Sequence, residues 1–148
     1  MDYQAMFEQA RSFGDYAAVD ALIPYARLLG IQVDHHDALG PVFRVPYKWD
    51  NVGNVHLPAI HGGVIAGLIE NAAILHLLWT SESLTMPKVI DANIDYLRSG
   101  RPLETFARCS TTKQGRRIAN VAVTCWQDDL EKPIAVARYH CKVTPEDR

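Results

Sequence analysis

Apolar residues first recur at helical spacing, with Met6, Phe7, Ala10 and Phe13 predicting an amphipathic helix over 2–13. A second short helix is predicted over about 19–29, with Pro24 near its start and Gly30 as its stop. Two extended pieces follow, about 31–37 and 42–47, turning at Leu39-Gly40-Pro41. Residues 48–60 read as loop, because Asp50, Asn51, Gly53, Asn54 and Pro58 favour irregular backbone. Then the pattern loses its polar face. From Gly62 to Thr80 the positions Val64, Ile65, Leu68, Ile69, Ala72 and Leu75 leave no side of a helix hydrophilic, so this helix must be covered all round. Four strands are predicted after it, over about 89–98, 103–113, 117–127 and 133–143, separated by Gly- and Asp-containing breaks. The last alternates well, with Ala135, Ala137, Tyr139, Cys141 and Val143 on one face and Arg138, His140 and Lys142 on the other.

Strands grouped after one helix and joined by short links indicate an α+β fold with an antiparallel sheet of about six strands. We expect one domain over 1–148, with residues 1–30 as a helical extension. One sheet cannot cover both sides of the central helix, so the N-terminal helices or a second copy must do so. The Val64–Trp79 stretch is too short for a membrane span and is interrupted by Glu70, Asn71 and His76. The first residues lack the apolar core of a signal peptide. No membrane partner and a cytoplasmic location are therefore expected.

The 148 residues are 48% hydrophobic and 22% charged, as in a globular chain, and a net charge of −2 argues against nucleic acid as a partner. Three widely spaced cysteines, Cys109, Cys125 and Cys141, fit neither a zinc pattern nor a disulfide framework and are read as buried reduced thiols. No metal site is expected.

Chemistry concentrates between Asn54 and Asn71. His61-Gly62-Gly63 opens the apolar helix, whose first N–H groups lack internal partners and sit at its positive end. The two glycines let a ligand oxygen come close, as an oxyanion site needs. Glu70 lies in the middle of the same helix; a buried carboxylate is costly unless it is paired or has a task, and burial makes it a better base. Gly63 and Glu70 share a face, with Ala66 and Gly67 leaving a shallow groove between them. Asn54, His56 and His61 come from the preceding loop. Simpler readings stand beside these: a tight helix start, a Glu70 pair with Arg98 or Arg138, a packing role for His56, and a solvated hairpin at Gln114-Gly115-Arg116-Arg117. His35 and His36 fall in an expected strand near the surface and carry no pattern, His76 and His140 are read as structural, and Trp49, Trp79 and Trp126 as packing or cleft-lining residues.

The His-Gly-Gly corner with an acid nine positions on resembles the PaaI-like hotdog-fold acyl-CoA thioesterases. So do Gly53-Asn54, Leu57-Pro58-Ala59-Ile60 and the run from Asp91 to Arg98, and in element order the likeness spans about 40–145. The resemblance implies hydrolysis of an acyl-CoA thioester, with coenzyme A as part of the substrate and no other cofactor. It gives Glu70 the role of general base or nucleophile, the Gly62 N–H that of holding the thioester oxygen, and His61 that of placing the carbonyl. Gly63 and His56 would contact substrate, and Arg98, Arg116 and Arg117 the CoA phosphates. Asn54 stands seven residues before His61 where relatives have Asn or Gln at six, and Ile74 stands where some carry a hydroxyl. A hydratase or dehydratase on the same fold, or a non-catalytic acyl-CoA or acyl-carrier binding module, are the alternatives.

Gly62 and Glu70 are eight residues apart, about 12 Å along a helix axis, of which the leaning Glu side chain recovers about 4 Å. One helix therefore cannot bring both to one carbonyl carbon. A homodimer with antiparallel helices, or a dimer of such dimers, would.

Overall fold

The computed structural model describes residues 2–82 and 84–144; Met1, Ser83 and residues 145–148, which the expected domain includes, lie outside them. Helix α1 (Tyr3–Phe13) starts on the Asp2 carboxylate, which accepts the Gln4 and Ala5 N–H groups, and ends at Gly14 with φ +66°. The expected second helix is two pieces, α2 (Tyr16–Asp20) and α3 (Pro24–Leu29). The division follows from Pro24: it serves as the first residue of α3 but forces Ile23 into extended backbone, φ −102° and ψ 110°.

Strands β1 (Gln32–Asp37) and β2 (Gly40–Val45) form a hairpin. The segment expected to be loop carries a 3-10 turn at Trp49–Asn51 and a small ladder of β3 (Val52–Asn54) with β4 (Ala59–Ile60). Helix α4 spans Gly62–Thr80, followed by β5 (Lys88–Tyr96), β6 (Thr105–Gln114), β7 (Ile118–Trp126) and β8 (Ala135–Lys142). The six long strands form one antiparallel sheet in the order β1-β2-β6-β7-β8-β5, curved around α4 as the α+β reading requires.

Helix α4 packs on β2, β6, β7 and β8, and α3 lies on part of what remains. At 19 residues it is long and apolar enough to cross a membrane, contrary to the length argument from sequence, yet most of it is buried against the sheet, as in a core helix. The core it builds includes Phe43, Leu68, Ile69, Val121, Val123 and Tyr139. Inward positions of β8 are the buried ones, as its alternation predicts. Among the described residues, strand β5 pairs with β8 alone and its other edge is open; most of its residues are exposed, Ile90 by 56% and Tyr96 by 52%.

The three cysteines are buried and unbridged. Burial pushes Cys125 up to about 12 and Cys141 up to about 11, and Cys109 higher still. Trp79 stacks on Tyr16 at 4.4 Å and Trp126 on Phe106 at 5.8 Å, so both pack, while Trp49 is exposed.

Asp20 fastens the N-terminal helices to the sheet: its two carboxylate oxygens accept the Val33 N–H at 3.1 and 3.2 Å. Burial raises its pKa from 3.8 to about 6, against the opposing pull of that hydrogen bond and of Arg44. Between pH 4 and 6 the folded chain thus holds a proton that the unfolded chain has released, so stability falls as pH rises through this window. Asp20→Asn keeps an acceptor but cannot titrate. Its urea midpoint relative to the parent's is expected to improve from pH 4 to pH 7; a pH-independent difference would contradict this.

Candidate functional site

The corner before α4 is fixed from several sides. The His61 N–H donates to the Asn51 carbonyl at 2.8 Å, and the Ile60 N–H to the Gly100 carbonyl at 2.9 Å. Strand β3 crosses so close that a Cβ on Gly53 would lie 2.7 Å from the His61 Cα, so that position excludes any side chain. His61 is the N-cap of α4, and its Nδ1 accepts the Gly63 N–H at 2.8 Å. A nitrogen that accepts this bond carries no hydrogen, so the neutral ring holds its proton on Nε2, a free donor.

This changes what Gly63, expected to contact substrate, has to offer. The Gly63 N–H is occupied by His61. The Gly62 N–H has no partner among the described residues. The Gly62 carbonyl accepts the Tyr96 hydroxyl at 2.7 Å, which ties the helix start to the end of β5. Tyr96 lies within the Asp91–Arg98 run, but no local pattern marks it as a contact of the helix start.

Glu70 is exposed, not buried as the all-apolar helix suggested. The stripe Gly63, Ala66, Gly67, Glu70 and Ile74 is the part of α4 turned away from the sheet. It floors a groove of about 300 Å³, walled by Tyr25 and Ala26 of α3. Gly67 lets α3 approach, since a Cβ there would meet Leu29 at 2.8 Å and Tyr25 at 3.2 Å. Glu70 makes no ion pair or hydrogen bond with a described residue. Arg98 donates instead to the Pro133 carbonyl at 2.7 Å, and Arg138 lies on an exposed position of β8, so neither arginine is its structural partner. The Glu70 charge is nonetheless felt in the core: after burial, it helps push Tyr139 up to about 12 and Cys141 to about 11. Beside Glu70, Asn71 lines the groove with a buried Oδ1 that has no hydrogen-bond partner among the described residues.

The other expected site residues divide. Asn54 and His56 lie in the β3–β4 turn, where the Asn54 Oδ1 accepts the His56 and Leu57 N–H groups at 3.0 and 3.2 Å; this is a turn-forming use of both. Arg98 sits two residues beyond Tyr96, near the helix start. Arg116 lines a different cavity with Thr80 and Ser81, at the far end of α4, about 27 Å along the axis from Gly62; Arg117 adjoins it. Within one chain these two do not join Arg98. Among the described residues no three His, Cys, Asp or Glu side chains gather as a metal site would need.

Comparison with known proteins gives concordant results. The family model of the thioesterase superfamily matches residues 57–134. A crystal structure of a Chromobacterium violaceum protein is 41% identical, covering 95% of this chain and 98% of that one, with a TM-score of 0.78. A Thermus thermophilus structure, a variant of the phenylacetic acid degradation protein PaaI, shares the fold at 20% identity and a TM-score of 0.70, covering 82% of this chain and 100% of that one. The medium/long-chain acyl-CoA thioesterase YigI of Salmonella typhimurium is 26% identical over 120 residues, 72% of this chain and 77% of that protein.

Proposed function

Because the chain belongs to the thioesterase superfamily, we propose that it hydrolyses an acyl-CoA thioester to the free acid and CoA, in a cleft shared by two protomers. The observation that carries this reading is Glu70: a carboxylate on a largely apolar helix, open to a groove and without an ion-pair partner among the described residues. The acyl-CoA substrate of the Salmonella relative supports the same substrate class.

The thioester oxygen lies on the Gly62 N–H at the positive end of α4, where the charge that develops on it is stabilised. The His61 Nε2–H, at the same corner, serves as a second donor. Glu70 takes a proton from water as that water attacks the carbonyl carbon. The C–S bond then breaks, and the proton passes to the departing thiolate. Direct attack by Glu70, which expels the thiolate and leaves an acyl–Glu70 anhydride for water to open, is the variant of this step; trapping of that acyl-enzyme, or ¹⁸O found in the Glu70 carboxylate after a single turnover in ¹⁸O-water, marks it. Water, side chains and backbone suffice, and CoA enters as substrate.

Gly62 and Glu70 of one chain remain about 12 Å apart along the axis. The open edge of β5, nine residues long with exposed Ile90 and Tyr96, is a ready template for a second copy. Two β5 edges paired about a two-fold axis set the α4 helices antiparallel, with Glu70 of the partner subunit near Gly62. The unit is such a dimer, or a dimer of dimers. Arg98, close to the helix start, is the cation best placed for a CoA phosphate.

A thiol-release screen over short, long and aromatic acyl-CoAs tests the activity. Turnover on at least one substrate is expected. Tight binding without thiol release would mark a binding module, and a change in double-bond absorbance without thiol release would mark a hydratase or dehydratase.

A further inference from the structure

The groove at Glu70 does not end at Ile74. Ile23 lines it and also lines a second cavity, of about 250 Å³. That cavity is mostly apolar: Phe7, Leu22, Pro24, Leu78, Leu84 and Met86 line it, with Tyr3 and Gln4 beside them. Ile74 and Leu78 are one turn apart on the same stripe of α4, so the two spaces follow each other along one helix face, with Ile23 between them. Phe7 is buried, Leu22, Ile23 and Leu84 are half-buried against the core, and Met86 is 48% exposed at the far rim. The walls contributed by Phe7, Leu22, Ile23 and Pro24 precede residue 57, outside the segment that the family model matches.

We infer that the helices before residue 30 form an acyl-chain passage in which Ile23 is the gate and the Phe7–Leu78–Met86 cavity the distal end, selecting unbranched acyl groups of about ten carbons. The inference rests on the thioester reading for its occupant. Continuity supplies the argument: a chain whose carbonyl lies beside Glu70 and that runs down this stripe passes from the groove into the second cavity across Ile23, which lines both. Glu70 to Leu78 is eight residues, about 12 Å at 1.5 Å per residue. A zigzag alkyl chain with carbon–carbon bonds of about 1.5 Å covers that span with roughly ten carbons. Each buried methylene raises affinity about fourfold.

The test uses non-hydrolysable S-alkyl-CoA thioethers, from butyl to dodecyl, with Kd measured by calorimetry on the full chain. Affinity is expected to climb about fourfold per methylene up to roughly ten carbons and then level off. Ile23→Phe narrows the gate and should reduce the decyl-over-butyl affinity ratio at least tenfold. Met86→Trp, at a half-exposed position that tolerates bulk, should reduce the dodecyl-over-butyl ratio and serves if the first variant does not fold. An affinity that does not rise with chain length, or ratios unchanged in the folded variants, overturns the passage. If no acyl-CoA is turned over while the ratios still respond, the passage stands and hydrolysis is the reading that fails.

Discussion

Glu70→Gln is expected to lower kcat on every acyl-CoA the protein hydrolyses by about 10³-fold, with KM changed little. The exchange is nearly isosteric and removes only the ability to accept a proton or to attack. Glu70 is exposed and has no ion-pair or hydrogen-bond partner among the described residues, so the fold has little to lose; a surface change of this kind stays within about 0.5 kcal/mol. Thermal unfolding should therefore be unaltered while turnover disappears. That separation between stability and rate distinguishes a reacting carboxylate from a structural one. Retained turnover on all active substrates would remove Glu70 from the mechanism.

Gly62→Pro is the complementary change at the other end of the chemistry. Gly62 is the first residue of α4, and proline is well tolerated there because no intrahelical bond uses that N–H. The preceding His61 already has φ −60° and ψ 132°, the extended backbone that a following proline demands. The substitution thus deletes one donor and leaves the helix in place. A Cβ at this position meets the Tyr96 ring at 3.4 Å, an ordinary contact. Loss of a single oxyanion donor typically reduces kcat by about 10²–10³-fold, and that is the expected loss here. Circular dichroism unchanged from the parent, together with unchanged kcat, would show that the thioester oxygen is held elsewhere.

Much of this arrangement is legible in the chain before any coordinates. Helix α4 is marked by the missing polar face of 62–80, and β8 by strict alternation, because both signals come from the periodicity of the backbone itself. The Pro24 break between α2 and α3 is local too, but the weak apolar run around it hides the two-piece division. What periodicity cannot supply is which stripe of a fully apolar helix the sheet leaves bare. Glu70 was therefore read as buried, whereas the sheet takes the opposite faces of α4 and leaves Gly63, Ala66, Gly67 and Glu70 in a groove. The same limit applies to the donors at the corner. Two glycines suggest two free N–H groups, and only the His61 side chain, folded back onto Gly63, shows that one is already occupied. Tyr96 on the Gly62 carbonyl is a contact across 34 residues, which no local pattern announces. Gly53 could have been found: a glycine eight residues before His61 in a polar loop is the kind of position where two backbones meet, and here a Cβ would lie 2.7 Å from the His61 Cα.

Arg116 and Arg117 show the reverse case. Their charge and hairpin setting suggest phosphate contacts, but the sheet carries that hairpin to the C-terminal end of α4, beside Thr80 and Ser81. Arg98, by contrast, follows β5 to the corner where α4 begins, and its place there comes from the pairing of β5 with β8 rather than from anything in its neighbouring residues.

Co-expressing two differently tagged chains, one Glu70→Gln and the other Gly62→Pro, and purifying the mixed dimer puts the shared cleft to the most direct test. Each homodimer is expected to keep about a hundredth of the parent's turnover or less, while the mixed dimer rebuilds one intact cleft from the unaltered acid of one protomer and the unaltered amide of the other. Activity near half that of the parent is the result expected; a mixed dimer no more active than either homodimer would mean that the two groups never meet across subunits.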